Sequence, residues 1–309
     1  MNLAFINGEI IDIKEAKVPI TCLAFTLGGS VFEAVRVNYN SDKKGYYACN
    51  IIKHVDRLFD SLKIMRMKIN YSKDDVIKII ERLVIKWNKK TNGYIRITAY
   101  IKDNATNGSV YDPNSVSTDL CITIVDKPLN FSKEEGIKCC ISSWNRISDN
   151  CIPPRVKSAC NYENTRLAGH EAIINGYQNS ILLNNYGKVS EAAESAIFLI
   201  DKNDILVTPS TTSDILNSIN RLTIIKIWKK LYSKDVIERV VDRTELYISK
   251  EVFICNTAKL IRPVISIDNI DIGNGKVGEI TKKIIDTYKE TILGNNDIAK
   301  DYSILFSEK

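Results

Sequence analysis

Hydrophobic positions in the first half of the chain switch repeatedly between strand-like and helix-like spacing. Short apolar runs bounded by turn residues predict strands at residues 4–6, 30–37, 93–100 and 120–125. Apolar residues recur every three or four positions at 50–66 and again at 76–84, which predicts two helices. Ser72 and Asp75 have the spacing of a capping box and mark the start of the second helix.

The second half shows the same mixture of periods. Helices are predicted from about 164 to 176 and at about 215–232, 244–249 and 278–293, and strands at 137–142, around 204–207 and at 251–255. Residues 180–183, a turn at 184–187 and the run from Lys188 predict a hairpin. The strands and helices lack regular βαβ spacing, so the pattern predicts an α+β fold with two lobes.

A polar stretch at residues 126–135 contains Pro128 and is the predicted domain boundary. We expect a small N-terminal α/β domain at 1–126, a linker at 127–135 and a large C-terminal domain at 136–309. A chain of 309 residues is long enough for two such domains.

Composition excludes several classes of function. The net charge is +6, and basic and acidic residues are interleaved, so we expect no nucleic-acid partner. The start of the chain has no basic region followed by a long apolar run, and no window approaches the ~18 apolar residues of a membrane span. The eight cysteines form no C-x-x-C pair, and without a secretory signal we expect reduced, mostly buried thiols in a cytoplasmic protein. With two histidines in the chain, we expect no metal site and no histidine-based acid–base chemistry.

One stock motif is misleading. Gly273-x-Gly275-x-x-Gly278 fits the dinucleotide-binding fingerprint and precedes a predicted helix. That fingerprint requires a βαβ unit and an acidic residue about twenty positions further on. Only 31 residues follow Gly278, so we interpret the glycines as a turn before a helix.

Two residues stand in unusual surroundings. Lys157 lies in a loop between Pro154 and a predicted helix, next to the small residues Ser158 and Ala159. Lysine alone is usually a solvated surface residue. Downstream, Glu191 begins an otherwise apolar strand, where an isolated carboxylate would be costly to bury.

The order of motifs around these residues resembles fold type IV pyridoxal-phosphate (PLP) enzymes, above all the branched-chain aminotransferases. The matching motifs follow the family order through the second half of the chain: Lys157, Asn161-Tyr162, Gly176-Tyr177, Ile181-Leu182-Leu183, Glu191 and Ile197-Phe198. Further landmarks are Gly28-x-Ser30-Val31-Phe32-Glu33, His54-Val55-Asp56-Arg57, Tyr94-Ile95-Arg96, Ser142-Ser143-Trp144-Asn145-Arg146 and Thr257-Ala258. The resemblance spans residues 5–293 and implies a two-domain fold like that of D-amino acid aminotransferase.

The resemblance also implies a role for each matched residue. Lys157 carries PLP as a Schiff base and moves a proton, and Glu191 pairs with the pyridine nitrogen. Tyr162 bonds the ring's phenolic oxygen, while the phosphate is bound by Arg57, the amides of Ile219 and Asn220, and the Thr257 hydroxyl. Substrate-side residues are Phe32, Arg36, Tyr94, Arg96, Thr257 and Ala258. The substrates implied are amino acids and 2-oxo acids, in a homodimer or a larger homo-oligomer.

The sequence departs from the family pattern at three places. Leu27 replaces a frequent tyrosine, Asn220 replaces a threonine of the phosphate site, and Glu194-Ser195-Ala196 replaces Gly-Glu-Asn. Glu194 therefore has two interpretations: it enters the pocket, or it faces solvent, the latter favoured because lone carboxylates are mostly exposed.

Three alternatives to a branched-chain aminotransferase stay open. A D-amino acid aminotransferase and an aminodeoxychorismate lyase would share the lysine, glutamate and phosphate residues. A third is a non-catalytic binding protein of the same fold. The joint presence of Lys157, Glu191, Arg57 and Tyr162 argues against the last.

Overall fold

A computed structural model describes residues 2–104, 111–131, 135–300 and 303–307. The strands, in chain order, are β1 (Leu3–Ile6), β2 (Glu9–Asp12), β3 (Ser30–Asn40), β4 (Gly45–Cys49), β5 (Gly93–Ile101), β6 (Thr118–Asp126), β7 (Ile137–Ile141), β8 (Asn179–Leu183), β9 (Val189–Ala192), β10 (Ala196–Ile200), β11 (Leu206–Pro209), β12 (Ile237–Arg239), β13 (Glu251–Asn256), β14 (Leu260–Ile267), β15 (Ile270–Asp271) and β16 (Ser303–Ser307). The helices are α1 (Leu23–Thr26), α2 (Ile51–Ile64), α3 (Lys73–Trp87), α4 (Asn161–Ile174), α5 (Ile219–Tyr232), α6 (Arg243–Tyr247), α7 (Glu279–Ile292) and α8 (Asp297–Lys300).

The chain divides into two compact units. Unit 1 comprises Met1–Leu129, Val156–Cys160 and Thr291–Lys309, and unit 2 comprises Asn130–Arg155 and Asn161–Glu290. This arrangement differs from the contiguous division at 126 and 136 in two places. The segment with Lys157 and the C-terminal segment both belong to unit 1, because Lys157 hydrogen-bonds to β3 and β16 pairs with β4.

Unit 1 is built on an antiparallel seven-stranded sheet in the order β16-β4-β3-β5-β6-β1-β2. Alternate residues of β3, such as Val31 and Val35, enter a core with α2 and α3. The buried stripe of α2, which includes Leu58, faces that core. Complete burial of one such side chain stabilises the fold by roughly 1.5–3 kcal/mol. The opposite face of β3 therefore carries the intervening residues, among them Phe32 and Arg36.

Unit 2 contains a nine-stranded sheet in the order β12-β11-β10-β13-β14-β7-β8-β9, with β15 paired to β14. The sheet is mixed, because β7 runs parallel to both β14 and β8 whereas β8 and β9 form an antiparallel hairpin. The apolar faces of these strands form the main core of the unit, with Ile181, Ile197 and Val252 among its members.

Most predicted elements are present with shifted ends. The capping box of Ser72 and Asp75 starts α3, the hairpin of β8 and β9 forms, and Gly273 and Gly275 lie in a turn before α7. The helix predicted from 164 begins at residue 161, because its buried positions are small or polar and give little apolar periodicity. The helix predicted from 215 begins at 219, after an N-cap at Ser218. No helix in the part of the chain that the structure describes is long and apolar enough to cross a membrane.

Candidate functional site

Lys157 lies in a short segment of unit 1 whose backbone is held by a strand and a helix. Its carbonyl oxygen accepts the amide N–H of Phe32 at 2.8 Å, and its own amide donates to the Ser61 hydroxyl at 3.3 Å. The next residue, Ser158, forms a β-bridge with Val31. The Lys157 Nζ lies 4.9 Å from the centroid of the Phe32 ring, within cation–π range. The lysine is therefore oriented by β3 and α2.

A buried carboxylate, Glu33, lies on the α2 side of β3. Arg57 donates from Nε and Nη2 to its two oxygens at 2.6 and 2.8 Å, and His54 Nδ1 lies 2.7 Å from Oε2. Burial alone would raise the pKa of Glu33, but the Arg57 guanidinium and the hydrogen bonds from His54 and Arg57 hold that pKa at about 2. Burial lowers the pKa of His54, so the neutral ring donates its Nδ1–H. The bidentate contact fixes the plane of the Arg57 guanidinium.

The other face of the β3–β5 pair carries the side chains expected to contact a substrate. Arg36 pairs across the strands with Tyr94, and Ala34 pairs with Arg96. The Arg96 guanidinium lies over the Phe32 ring, with Cζ 3.9 Å from the centroid. Arg36 is buried, and its Nη1 donates to the carbonyl oxygens of residues 127 and 128 at 3.0 and 3.4 Å. This face thus combines one aromatic ring, one phenol and two guanidinium groups.

Unit 2 contains a second buried carboxylate, Glu191, in β9. Arg146 Nη2 lies 2.9 Å from Glu191 Oε1, and both side chains are less than a tenth exposed. The amide of Leu216 donates to Oε2 at 3.3 Å. Residues 215–218 precede α5 and are not helical, and the Leu216 amide bonds to the carboxylate instead of to a helical carbonyl oxygen. A fixed cation and an amide donor both favour the ionised form of a carboxylate.

The first turn of α5 offers amide groups to an anion. Ser218 caps this helix: its hydroxyl accepts the amide of Arg221 at 3.3 Å, and its carbonyl oxygen accepts the amide of Leu222 at 3.1 Å. The amides of Ile219 and Asn220 precede these two and have no acceptor within the helix, as at the start of any α-helix. The Asn220 side chain donates to the Thr257 hydroxyl at 3.5 Å, so these groups adjoin the helix start.

The remaining predicted residues of unit 2 lie on neighbouring elements. Tyr162 occupies the first turn of α4 and is partly buried. Thr257 and Ala258 form part of a turn between β13 and β14 and are also partly buried.

Glu194 is exposed and lies in a two-residue turn. Ala192 and Ser195 exchange backbone hydrogen bonds of 2.9 and 3.0 Å around it, and its φ is 63°. That conformation favours glycine, the residue at this place in the family pattern. The interpretation that Glu194 faces solvent is confirmed. The side chain of the following Ser195 is buried and accepts a hydrogen bond from Asn256 at 2.8 Å.

All eight cysteines are free thiols and five of them are buried, as the sequence predicts. Burial raises the pKa of Cys49 and that of Cys255 to about 12. Among residues that the structure describes, no cluster of His, Cys, Asp or Glu could hold a metal ion.

Two charged residues in these networks were not predicted as part of the site. Glu33 is a carboxylate between the apolar residues Phe32 and Ala34 of β3, a signal similar to the one that singled out Glu191, and its helix partner follows 24 residues later. Arg146 lies in a motif that resembles the family, but nothing in the local sequence connects it to a strand 45 residues away.

Comparison with known proteins identifies relatives along most of the chain. The family model described as "Amino-transferase class IV" matches residues 30–267. A probable branched-chain-amino-acid aminotransferase of Aquifex aeolicus is 35% identical over 294 residues, covering 95% of this chain and 93% of that protein. The branched-chain-amino-acid aminotransferase of Escherichia coli is 38% identical, covering 90% of this chain and 89% of its own. A crystal structure of the Thermobaculum terrenum branched-chain amino acid aminotransferase in its PLP form superposes with a TM-score of 0.93, at 32% identity, covering 99% and 98% of the two chains.

Proposed function

The chain belongs to the class IV aminotransferase family, and from that premise we propose that it transfers the amino group of branched-chain L-amino acids to 2-oxoglutarate with PLP as cofactor. The observation that carries this proposal is the match of nine-tenths or more of the chain to relatives named branched-chain-amino-acid aminotransferases, at 35% and 38% identity. The fold is the fold type IV arrangement expected from the sequence, an α+β fold like that of the T. terrenum enzyme.

The chemistry of the described residues fits PLP. A phosphate requires several N–H or O–H donors, and the first-turn amides of α5, the Thr257 hydroxyl and the Arg57 guanidinium are donors of this kind. A protonated pyridine nitrogen requires an ionised acceptor, and Glu191 is a buried carboxylate paired with a cation. An aldehyde requires an amine, which Lys157 supplies. When bound, PLP supplies a ring that withdraws electrons from the substrate Cα.

We assign the unit 2 residues to holding the cofactor. Glu191 would accept a hydrogen bond from the ring N–H and favour the protonated ring. The Tyr162 hydroxyl would donate a hydrogen bond to the ring's phenolic oxygen. The amides of Ile219 and Asn220 bind the phosphate at the positive end of the α5 dipole, and the Thr257 hydroxyl adds a further donor.

We assign the unit 1 residues to covalent attachment, phosphate binding and substrate contact. Lys157 would hold the cofactor covalently through Nζ and, once freed by the substrate amine, would accept the proton of the substrate Cα and donate it to the cofactor C4′. Arg57, its guanidinium plane set by Glu33, binds the phosphate. Phe32 supplies apolar surface beside Tyr94 and Arg96. Arg36 acts on this face by holding the backbone at residues 127 and 128, and Ala258 contacts the substrate through its backbone.

The substrate class follows from both the relatives and the site. Phe32 offers an apolar surface to an aliphatic side chain, while Arg96 offers a cation to a carboxylate. An exposed Glu194 adds no negative charge to the site, so the departure at this position does not argue against aliphatic substrates. The proposal includes a homodimer, to be measured by sedimentation velocity, and a cytoplasmic location, where eight free thiols are stable.

A parallel assay tests the proposal and separates its alternatives. Protein reconstituted with PLP is given L-leucine, L-isoleucine or L-valine with 2-oxoglutarate, and glutamate is measured. D-alanine with 2-oxoglutarate and aminodeoxychorismate without an acceptor are the comparison reactions, and Lys157→Ala is the control. We expect glutamate from the three L-amino acids only, and none from the control. Turnover of D-alanine or release of pyruvate from aminodeoxychorismate at a higher rate would replace this substrate assignment.

A further inference from the structure

Arg146 and Glu191 form a buried ion pair in unit 2, and Glu191 is the proposed acceptor of the ring N–H. Arg146 is 4% exposed and Glu191 is 5% exposed. The arginine touches one carboxylate oxygen through Nη2 at 2.9 Å, and the amide of Leu216 touches the other at 3.3 Å. The carboxylate is thus held at both oxygens, which restricts its rotation about the terminal bond.

Helix α4 holds the loop that carries Arg146 at two places. Near its end, the Glu171 carboxylate accepts the Ser142 hydroxyl at 2.5 Å and the Ser143 amide at 3.0 Å. Near its start, Asn164 donates to the carbonyl oxygen of Asn145 at 2.9 Å, and its own oxygen lies 3.4 Å from Arg146 Nη1. Residues seven apart lie on one face of a helix, so one surface of α4 fixes both ends of the loop.

The backbone of Arg146 is fixed as well. Its amide donates to the carbonyl oxygen of Leu183 at 2.8 Å, at the end of β8. Because β8 and β9 form one hairpin, the arginine and Glu191 are attached to adjacent strands. The position of the guanidinium relative to the carboxylate therefore depends on the sheet and on α4 rather than on a flexible loop.

Stability alone is a poor explanation for this pair. Among the described residues, Arg146 Nε is a buried donor without a hydrogen-bond partner, which is unfavourable. Buried ion pairs can often be replaced by apolar residues of similar volume without loss of stability. The feature that an apolar pair could not provide is an ionised carboxylate held in one orientation.

We propose that Arg146 is a positioning residue that keeps the Glu191 carboxylate ionised and in one orientation as the acceptor for the ring N–H of PLP, with Glu171 and Asn164 as the anchors of its loop. This inference rests on the proposed function, because it assigns Arg146 a task only if Glu191 contacts the cofactor. Arg146 acts through Glu191 and not on the substrate.

The test compares Arg146→Gln and Arg146→Lys with Arg166→Gln. Arg166 is the matched control, because it is an arginine that pairs with a glutamate, Glu163, on the exposed side of α4, the helix that anchors the Arg146 loop. In PLP-loaded protein, Arg146→Gln should lower kcat by about 10- to 100-fold, the scale for residues that orient a primary ligand, with KM changed less than about threefold. Arg146→Lys should recover part of this loss. The pH midpoint of the visible absorption change of bound PLP should move by about half a unit or more in Arg146→Gln and stay in place in Arg166→Gln.

A second background separates positioning from a purely structural role. In Glu191→Gln there is no carboxylate left to orient, so adding Arg146→Gln should change kcat by less than about twofold. A structural role would lower kcat further and would also shift the unfolding midpoint of the apoprotein. If Arg146→Gln alone does not fold, the kcat of the double variant is still compared with that of Glu191→Gln. The double variant buries neither charge of the pair.

The outcomes are distinguishable from a failure of the proposed function. If wild-type protein binds PLP and transaminates while Arg146→Gln behaves like Arg166→Gln, the inference is overturned and the function stands. The inference is also overturned, with the function intact, if Arg146→Gln lowers kcat by the same factor in the Glu191→Gln background as in the wild type. If wild-type protein binds no PLP, the proposed function is wrong and the inference is overturned with it.

Discussion

Glu33→Gln is the substitution whose effect follows most directly from the structure. The Glu33 side chain is 0% exposed and accepts hydrogen bonds from Arg57 Nε, Arg57 Nη2 and His54 Nδ1. Glutamine retains one acceptor oxygen and presents an NH₂ group to donors that also carry hydrogen. The change therefore removes the negative charge and places an NH₂ donor against the N–H donors of Arg57 or His54, while the side-chain volume stays nearly the same.

The magnitude can be estimated in two ways. The pKa of Glu33 is held at about 2 against an ordinary 4.5, and one pKa unit corresponds to about 1.4 kcal/mol, so the ionised form adds about 3 kcal/mol to the free energy of unfolding. Removal of one partner from a buried ion pair costs roughly 3–5 kcal/mol in measured cases. Both estimates place the loss for Glu33→Gln near ~3 kcal/mol at neutral pH.

The pH dependence has a defined sign. Because the folded pKa lies below the unfolded value, the contribution of Glu33 is complete above pH 4.5 and is lost as the pH falls from 4.5 toward 2. The difference between wild type and Glu33→Gln should therefore be constant above pH 5 or so and shrink below it. The neutral His54 also destabilises the wild type in acid, since its pKa is lowered from 6.5 and the unfolded chain takes up that proton first.

Urea unfolding of the apoprotein, followed by circular dichroism from pH 7.5 downward, measures this difference without any cofactor. The matched control is Asp56→Asn, because Asp56 lies in the same helix but pairs with Lys73 at the surface, where both side chains are about half exposed. Exposed pairs of this kind contribute about 0.2–1 kcal/mol. If Glu33→Gln costs no more than Asp56→Asn, or if its effect persists unchanged at low pH, the assignment of Glu33 as an ionised buried partner of Arg57 is wrong.

Four further predictions concern the site. Borohydride reduction of PLP-loaded protein should attach the pyridoxyl group to Lys157, and peptide mapping that finds it on another lysine would contradict the assignment. Glu191→Gln should retain PLP but lower kcat more than it raises KM, and turnover close to wild type would remove Glu191 from the mechanism. Arg57→Ala should weaken PLP binding by roughly 1.5–3 kcal/mol in a spectroscopic titration, whereas equal affinity would mean that Arg57 serves Glu33 alone. Glu194→Gly should stabilise the protein by about 0.4–1 kcal/mol in thermal unfolding, because glycine adopts the φ of 63° at this position without strain. It should leave the leucine-to-glutamate ratio of kcat/KM unchanged, because Glu194 is exposed, and a changed ratio would mean that Glu194 acts on the substrate.

The sequence predicted elements well where one local signal determined them. The capping box at Ser72 is a contact within four residues, and the hairpin of β8 and β9 is determined by its turn and by apolar runs on both sides. Helix starts were harder to predict. Ile215 and Leu216 continue the apolar helical pattern, yet residues 215–218 are not helical, and the Leu216 amide donates to Glu191. Periodicity cannot reveal such a competing contact, because it comes from a residue 25 positions away.

The sequence could not predict that Lys157 belongs to unit 1, for a different reason. Its flanking residues on both sides belong to unit 2, so no composition shift marks the change. The segment joins unit 1 through the bridge between Ser158 and Val31 and through the hydrogen bond from Phe32. Contacts between residues more than a hundred positions apart leave no trace in a local pattern. A predicted linear boundary therefore omits the segment that carries Lys157.

The two buried glutamates show what the sequence can and cannot predict about an ion pair. A carboxylate in an apolar strand predicts a nearby cation, because an unpaired buried charge is too costly to keep. Glu33 and Glu191 each carry that signal, and each has an arginine within 3 Å. The identity of the arginine depends on the fold: Arg57 comes from the helix packed on β3, and Arg146 from a loop held by α4. The same reasoning distinguishes their functions. Arg57 is itself a proposed ligand, so Glu33 orients a cation for the phosphate, whereas Glu191 is the proposed ligand and Arg146 orients an anion for the ring nitrogen. Substituting either arginine should therefore impair a different step, cofactor affinity for Arg57 and turnover for Arg146.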